Sequence, residues 1–253
     1  MTSGIKPQQN WHQHAGTLSI NSLRELGKVL VIAPHQDDES LGCGGTIALL
    51  RQAGLPVHVA FVSDGSLSHP NSKKYPTEKR IALREQEALA ALQILGINNN
   101  QVTFMHLPDG SVPFNGDPQF TGAVNQMQQL LLDIKPQTIL LPWRRDPHTD
   151  HRATWQIVDE AINETGISAR QLEYLIWLWE RAADNDLPQP GEMQIWQVNI
   201  EQVIELKKQA IAAHLSQTTR LIDDDPEGFM LSPEVLAHFD KPYEIFVESN
   251  KLA

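Results

Sequence analysis

Cysteine is nearly absent: Cys43 stands alone in 253 residues, so no disulfide can close within the chain. That suits a reducing compartment. Long apolar runs are missing too, since none approaches the ~18 residues that a spanning helix needs. The opening stretch MTSGIKPQQNWHQHAG carries no basic-then-apolar signal pattern. A soluble cytoplasmic protein without a membrane span is the expectation. Basic residues are scarce, with 20 Lys and Arg against 31 Asp and Glu and a net charge of -11. Nucleic acid is therefore not an expected partner, because its phosphates need cations. A small, neutral substrate remains compatible. There is no internal repeat and no low-complexity linker. The length permits a sizeable core.

The most informative stretch is Val29–Gly45, VLVIAPHQDDESLGCGG. An apolar run stops at Pro34, and His35, Asp37, Asp38 and Glu39 follow at once. Then Gly42-Cys43-Gly44-Gly45 leads into Ile47, Leu49 and Leu50. This reads as a buried strand, a sharp turn and a helix. Three carboxylates clustered after a strand repel one another, which a cation would relieve.

Along the chain, residues 1–21 are polar and aperiodic and read as an arm lying on a neighbour. Strands are expected at Lys28–Ala33, Val57–Ser63, Val102–Leu107 and Thr138–Leu141, and helices at Leu41–Gln52, Glu78–Leu95, Gln119–Ile134 and Ala153–Thr165. Two more strands are expected at Glu173–Trp179 and Ile195–Ile200. An amphipathic helix at Glu201–Ser216, a loop-rich 223–242 and a last strand at Tyr243–Glu248 complete the chain. The alternation predicts an α/β fold: a doubly wound, mostly parallel Rossmann-like sheet with helices on both faces and an elaborated C-terminal third. One domain over 1–253 is expected, with an arm at 1–21, a core at 28–165 and the elaboration at 166–253. Right-handed crossovers place the first and fourth strands side by side, with the switch point between their carboxyl ends. Both of those ends run into His/Asp clusters, so residues more than a hundred apart are predicted to converge.

His35 and Asp38 are three apart on a turn entering a helix, and His148 and His151 share that spacing. Two imidazoles and a carboxylate around a metal with an open position make a hydrolytic zinc site or a non-haem iron triad. Asp37, beside a ligand, could act as base toward a water activated by zinc. His148 would then stabilise the oxyanion or protonate the leaving amine. Glu39 reads equally as a helix-start dipole partner. Gly42–Gly45 lacks the Gly-x-Gly-x-x-Gly order of a phosphate loop, so close helix–sheet packing is expected there. Cys43 reads as a packing residue. His58, His69, His106, His214 and His238 show no partner pattern. Trp143, Trp177 and Trp179 read as apolar sugar walls or as core.

Pro34-His35-Gln36-Asp37-Asp38-Glu39 after a strand resembles the Ala-His-Pro-Asp-Asp-Glu signature of the LmbE-like, or PIG-L, N-deacetylases. His148-Thr149-Asp150-His151 resembles that family's His-Pro-Asp-His motif. Supporting landmarks are Ser63-Asp64-Gly65, the pattern Arg84, Glu87, Ala91, Leu95-Gly96, then Leu107-Pro108-Asp109-Gly110, and Lys207, Ala210, His214, Ser216-Gln217. The resemblance spans roughly residues 28–217. It implies a zinc-dependent hydrolase that removes acetyl groups from N-acetylglucosamine-type sugars or their conjugates. It also implies a homo-oligomer, a trimer or a hexamer. Carried over by motif position, His35, Asp38 and His151 bind Zn2+, Asp37 is the general base, and His148 is the oxyanion stabiliser or acid. Arg84 and Asp109 match sugar-binding positions, with a helix-surface ion pair and a plain turn residue as their alternatives. Asp150 orients the histidine side of the site. Gln36 and Thr149 replace prolines of the family pattern, which predicts altered loop stiffness with the metal kept. Two other readings compete: an Fe2+ oxygenase built on the two-His-one-carboxylate set, and a catalytically silent metal-binding or assembly module. The loops at 66–77, 110–118 and 180–192 are expected to read the substrate.

Overall fold

The computed structural model describes residue 12, residues 15–189 and residues 191–250. Most of residues 1–21 therefore lies outside the described residues. Within that stretch, Gly16–Thr17 forms β1 and pairs with this chain's own sheet edge, and Ile20–Arg24 forms a short helix, α1.

One sheet of eight strands organises the molecule. After β1 come β2 (Val29–Ala33), β3 (Val57–Ser63), β4 (Val102–Leu107) and β5 (Thr138–Pro142). They are followed by β6 (Arg170–Tyr174), β7 (Met193–Asn199) and β8 (Tyr243–Ser249). The spatial order is β1-β7-β8-β6-β5-β2-β3-β4. β8 runs antiparallel to both β6 and β7; the other pairings are parallel.

The continuous apolar run VLVIA explains β2's central place. Strand side chains alternate between faces, so a strand covered on both sides must be apolar throughout. Val29, Val31 and Ala33 enter one core with Leu41, Ile47 and Leu92, while Leu30 and Ile32 enter a second with Met127, Leu131 and Ile157. The first core is covered by α2 (Asp38–Gln52), α3 (Thr77–Ile94) and α7 (Ile204–Ala213). The second is covered by α4 (Phe120–Ile134) and α5 (Thr149–Thr165). β2 pairs with β5 from Val29↔Thr138 to Val31↔Leu140. α2 and α5 then leave for opposite faces, which opens the expected switch point between the two strand ends.

The differences from expectation lie mostly at boundaries. α2 starts at Asp38 and α5 at Thr149, so the motif residues themselves build the first helical turns. Acidic residues there suit the helix dipole, but they carry no apolar periodicity. The apolar stretch at 173–179 leaves the sheet after Tyr174. Trp177 N–H donates to Asp146 Oδ2 at 3.0 Å, and Leu178–Arg181 turns into a short helix, α6. Residues 201–218 divide into a 3-10 turn, α7 and α8 (Leu215–Thr218), because His214 adopts φ -79°, ψ 64°. Pro233–Phe239 forms α9 inside the stretch read as loop, with Ser232 Oγ accepting from Val235 N–H at its start.

The glycine segment is a packing device, as expected. A Cβ on Gly42 would lie 2.3 Å from the Tyr174 ring, and one on Gly45 would lie 2.7 Å from Ile200. α2 kinks at Cys43 (φ -145°, ψ 19°). The helix restarts against Glu244, whose carboxylate accepts from Gly45 N–H and Thr46 N–H at 2.8 Å each, and Lys207 Nζ donates to it at 2.7 Å. Among the described residues, no helix is long and apolar enough to cross a membrane.

Candidate metal centre

The two clusters meet. The β2–α2 turn supplies His35 and Asp37 and the start of α2 supplies Asp38; the β5–α5 turn supplies Asp146 and His148 and the first turn of α5 supplies Asp150 and His151. Asp38 Oδ2 is the hub: it stands 3.3 Å from His35 Nδ1 and 3.2 Å from His151 Nε2. His35, Asp38 and His151 are all buried, and their nearest donor atoms lie within 4.8 Å of one another. Donors bound about 2.0–2.1 Å from a tetrahedral zinc stand about 3.3–3.4 Å apart, a spacing that the contacts around Asp38 match. Both ring nitrogens of His151 are buried without a hydrogen-bond partner of acceptable geometry, although carboxylate oxygens lie near each. Such an orphaned imidazole needs an explanation, and a lone pair aimed at a cation supplies one.

The supporting contacts fit that use. A ligating imidazole normally donates its other N–H to a carboxylate. His35 Nε2 lies 3.0 Å from Asp150 Oδ2 and 3.3 Å from Asp109 Oδ1. His151 Nδ1 faces Asp146 Oδ1 at 3.4 Å. A second set, His35, His148 and Asp150, has comparable spacing. Both oxygens of its carboxylate accept backbone N–H groups, from Gly110 and Val112, while Asp38 accepts one, from His35 N–H on Oδ2 at 2.9 Å.

Burial and charge set the protonation states. Burial opposes protonation of His151, but the carboxylates of Asp38 and Asp146 outweigh it and raise its pKa to about 9, so an ion bound here would displace a proton from this ring. Burial disfavours the Asp38 anion as well, yet the neighbouring His151 and His35 hold its pKa well below the usual carboxylate range. Asp37 rises to about 6: burial raises it, Arg84 opposes and the adjacent Asp38 adds. Its backbone sits at φ 150°, ψ -26°, a strained conformation kept in place by Glu39 Oε2, which accepts Asp37 N–H at 3.0 Å. His148 falls to about 4, chiefly through burial and then through His151 and His35. Its Nδ1 accepts Asp150 N–H at 3.2 Å, so the neutral ring carries its hydrogen on Nε2.

A cavity of about 240 Å³ opens onto this centre, lined by Asp37, Arg84, Asp109 and His148 among others. Arg84 is buried; its Nη2 donates to Gln36 O at 2.7 Å and stands 3.6 Å from Asp37 Oδ2. It is not a helix-surface ion pair. Asp109 holds two loops as well as facing His35, since its Oδ2 accepts Leu67 N–H at 2.7 Å. Leu67, Gly110 and Arg181 bring the three expected loops to the cavity, and Phe229 and Leu231 add a fourth segment. Trp177 lines it, whereas Trp143 belongs to the core behind. A larger cavity of about 440 Å³ lies past Leu41, with Trp179 in its wall and no residue of the His/Asp cluster.

Three residues take roles here beyond those expected from the sequence. Asp146 is fully buried and accepts His148 N–H, Trp177 N–H and the approach of His151. The Asp-Pro-His order, which favours a turn closed by the Asp side chain, was its legible signal. Glu39 does more than face the helix dipole, because Oε1 also meets His214 Nε2 at 3.1 Å. Gln36, where the family pattern has proline, donates from Nε2 to Ser63 O and ties the turn to β3.

A family model described as PIG-L, GlcNAc-PI de-N-acetylase, matches residues 30–162, a span that includes both turns. A probable N-acetyl-alpha-D-glucosaminyl L-malate deacetylase 2 of Bacillus subtilis is 27% identical over 212 residues, covering 83% of this chain and 91% of that protein. The diacetylchitobiose deacetylase of Thermococcus kodakarensis is 26% identical over 209 residues, covering 76% and 71%. Among solved structures, the N,N'-diacetylchitobiose deacetylase of Pyrococcus horikoshii has the same fold. Its TM-score is 0.65 at 21% identity, over 96% of this chain and 87% of that one. With both signature turns inside a match that covers more than half its length, this chain belongs to the PIG-L family of GlcNAc-PI de-N-acetylases.

Proposed function

We propose that this protein is a metal-dependent N-deacetylase that hydrolyses the acetamide of an N-acetylglucosamine-type sugar or sugar conjugate. One observation carries the reading: Asp38 Oδ2 stands between His35 Nδ1 and His151 Nε2, with Asp37 and a neutral His148 beside them at the same cavity. The named activities of the relatives agree with it. His35, Asp38 and His151 would hold the ion. The donor set favours Zn2+, and Fe2+ also fits it. When bound, the ion lowers the pKa of a water and polarises the acetyl carbonyl.

The chain's own side chains account for the rest. Asp37, which lines the cavity beside Asp38, is placed to take a proton from the attacking water. His148 Nε2–H is a neutral donor for the oxygen that becomes negative as the carbonyl carbon turns tetrahedral. As the C–N bond breaks, Asp37 returns its proton to the leaving nitrogen, so water and amide become acetic acid and amine. Arg84 keeps Asp37 and Gln36 in place and, with Asp109, meets the sugar at the cavity wall. Asp150 orients His35 through Nε2.

The test pairs metal analysis of the purified protein with acetate release from a panel of N-acetylglucosamine conjugates. Bound metal and acetate release are expected. Asp37→Asn should keep the metal and lose turnover by at least about a hundredfold, the usual scale of general-base catalysis. Near wild-type turnover in that variant would remove Asp37 as the base. Metal-loaded protein that releases no acetate from any conjugate would overturn the reading.

A further inference from the structure

Charge in the catalytic cavity is paired, with one exception. Arg84 faces Asp37, and His35 faces Asp38 and Asp109. Arg181 also lines the cavity, yet no carboxylate of the described residues lies within ion-pair distance of it. Its guanidinium carbon instead sits 3.9 Å from the centroid of the Trp177 ring. That indole is buried, and its backbone N–H is bound to Asp146 Oδ2. The cation is thus held over a rigid aromatic surface that starts from the metal centre's own support.

Stacking leaves the in-plane N–H groups of a guanidinium free, and that fork matches the two oxygens of a carboxylate or phosphate. The surroundings make this fork unusual. The chain carries a net charge of -11, and the cavity floor holds Asp37, Asp38 and Asp109. Exposed to solvent, the guanidinium needs no partner of its own, but an acidic group on the substrate would need a cation there, since it would otherwise meet repulsion from the floor.

We propose that Arg181 is a specificity-determining residue that recognises an oxyanion, carboxylate or phosphate, carried by the group attached to the sugar. The proposal rests on the deacetylase reading for its sugar and on Arg181 and Trp177 for its charge. The apolar neighbours Leu67, Ile176 and Phe229 would cover the uncharged part of that group.

Binding is measured by calorimetry on the metal-loaded full chain with three glucosamine probes: the methyl glycoside, the carboxymethyl glycoside and the 1-phosphate. The wild type should bind at least one anionic probe about ten to a hundred times more tightly than the methyl glycoside, the range of one charge-assisted contact. Arg181→Gln should abolish that gap while leaving methyl glycoside affinity within about twofold, and Arg181→Lys should restore part of it. Arg181 is exposed, so these variants should keep the wild-type melting temperature. A wild type indifferent to charge, a gap that survives Arg181→Gln, or an equal loss for all three probes would overturn the proposal. Acetate release from the N-acetylated counterparts, run in parallel, separates the two readings. A charge gap in binding without any acetate release leaves Arg181 as the anion contact and removes the deacetylase.

Discussion

His151 Nδ1 lies 3.4 Å from Asp146 Oδ1, and both side chains are fully buried. The same carboxylate accepts backbone N–H groups from His148 and Trp177. Asp146 therefore sets the ring of one proposed ligand, the start of α5 and the exit from β6 together. Asp146→Asn keeps the volume but removes an acceptor and the negative charge. Metal affinity should fall about ten- to a hundredfold, the usual cost of losing a partner behind a ligating imidazole. Competition with a chromophoric chelator measures this, and unchanged affinity would show that His151 does not depend on Asp146.

The Lys207–Glu244 pair stands behind the glycine segment, with both side chains almost completely inaccessible. Lys207→Met leaves Glu244 with three donors from Gly45 and Thr46 but no countercharge. Breaking a buried pair costs about 3–5 kcal/mol, and the remaining hydrogen bonds place this case at about 3. For a chain of this size that corresponds to a melting temperature lower by roughly 6–12 °C. Glu244→Gln added to Lys207→Met should recover part of the loss. A single variant as stable as the wild type would show that the pair contributes nothing to α2.

Much of the architecture was legible because it rests on short-range pattern. The all-apolar VLVIA run, the 3.6-residue spacing of Val124, Met127 and Leu131, and the turn residues after each strand place β2 to β5 correctly. Parallel topology then brings His35 and His151 together, although 116 positions separate them. What escaped the pattern is polar and distant. Glu244 meets Gly45 across 199 positions, and Glu39 meets His214 across 175. Hydrogen bonds of that reach leave no periodic trace. The stretch at 173–179 failed for a different reason: a continuous apolar run suits a buried strand and a buried helix turn alike, and Asp146 decides between them.

Gly42 shows how tightly the site's first helix is seated. A methyl group there would enter the Tyr174 ring, and that ring cannot swing away freely because its hydroxyl donates to Ile32 O at 2.8 Å. Gly42→Ala should cost about 1–3 kcal/mol, the usual range for overpacking a core. Because Gly42 lies four residues beyond Asp38, it should weaken metal binding as well. Thermal melting and chelator competition should move together; a loss of stability with intact metal affinity would mean that the two halves of α2 yield independently at Cys43.

The loop after β3 depends on Asp224, whose carboxylate accepts from Ser72 Oγ at 2.7 Å, Lys73 N–H at 2.8 Å and Lys74 N–H at 2.9 Å. The hydrogen bond from Ser72, followed by those from the backbone, lowers its pKa to about 2, against about 3.9 for an unfolded chain. A carboxylate depressed on folding stabilises the folded arrangement above its unfolded value and loses that contribution as pH falls through its folded value. The anchor should hold at pH 5 and weaken between about pH 4 and pH 2. Asp225 joins it by accepting Asn71 N–H at 2.8 Å, and Phe229 N–H reaches back to Ser68 O. Loosening Asp224 should therefore expose the 66–75 loop and, with it, the cavity wall at Leu67 and Phe229. Hydrogen exchange at pH 5.0 and pH 2.5, corrected for intrinsic rates, should show amides of 66–75 losing protection relative to those of β2. Asp224→Asn should show reduced protection already at pH 5.0. Parallel behaviour of loop and sheet across that range would place the loop's hold elsewhere than on this carboxylate.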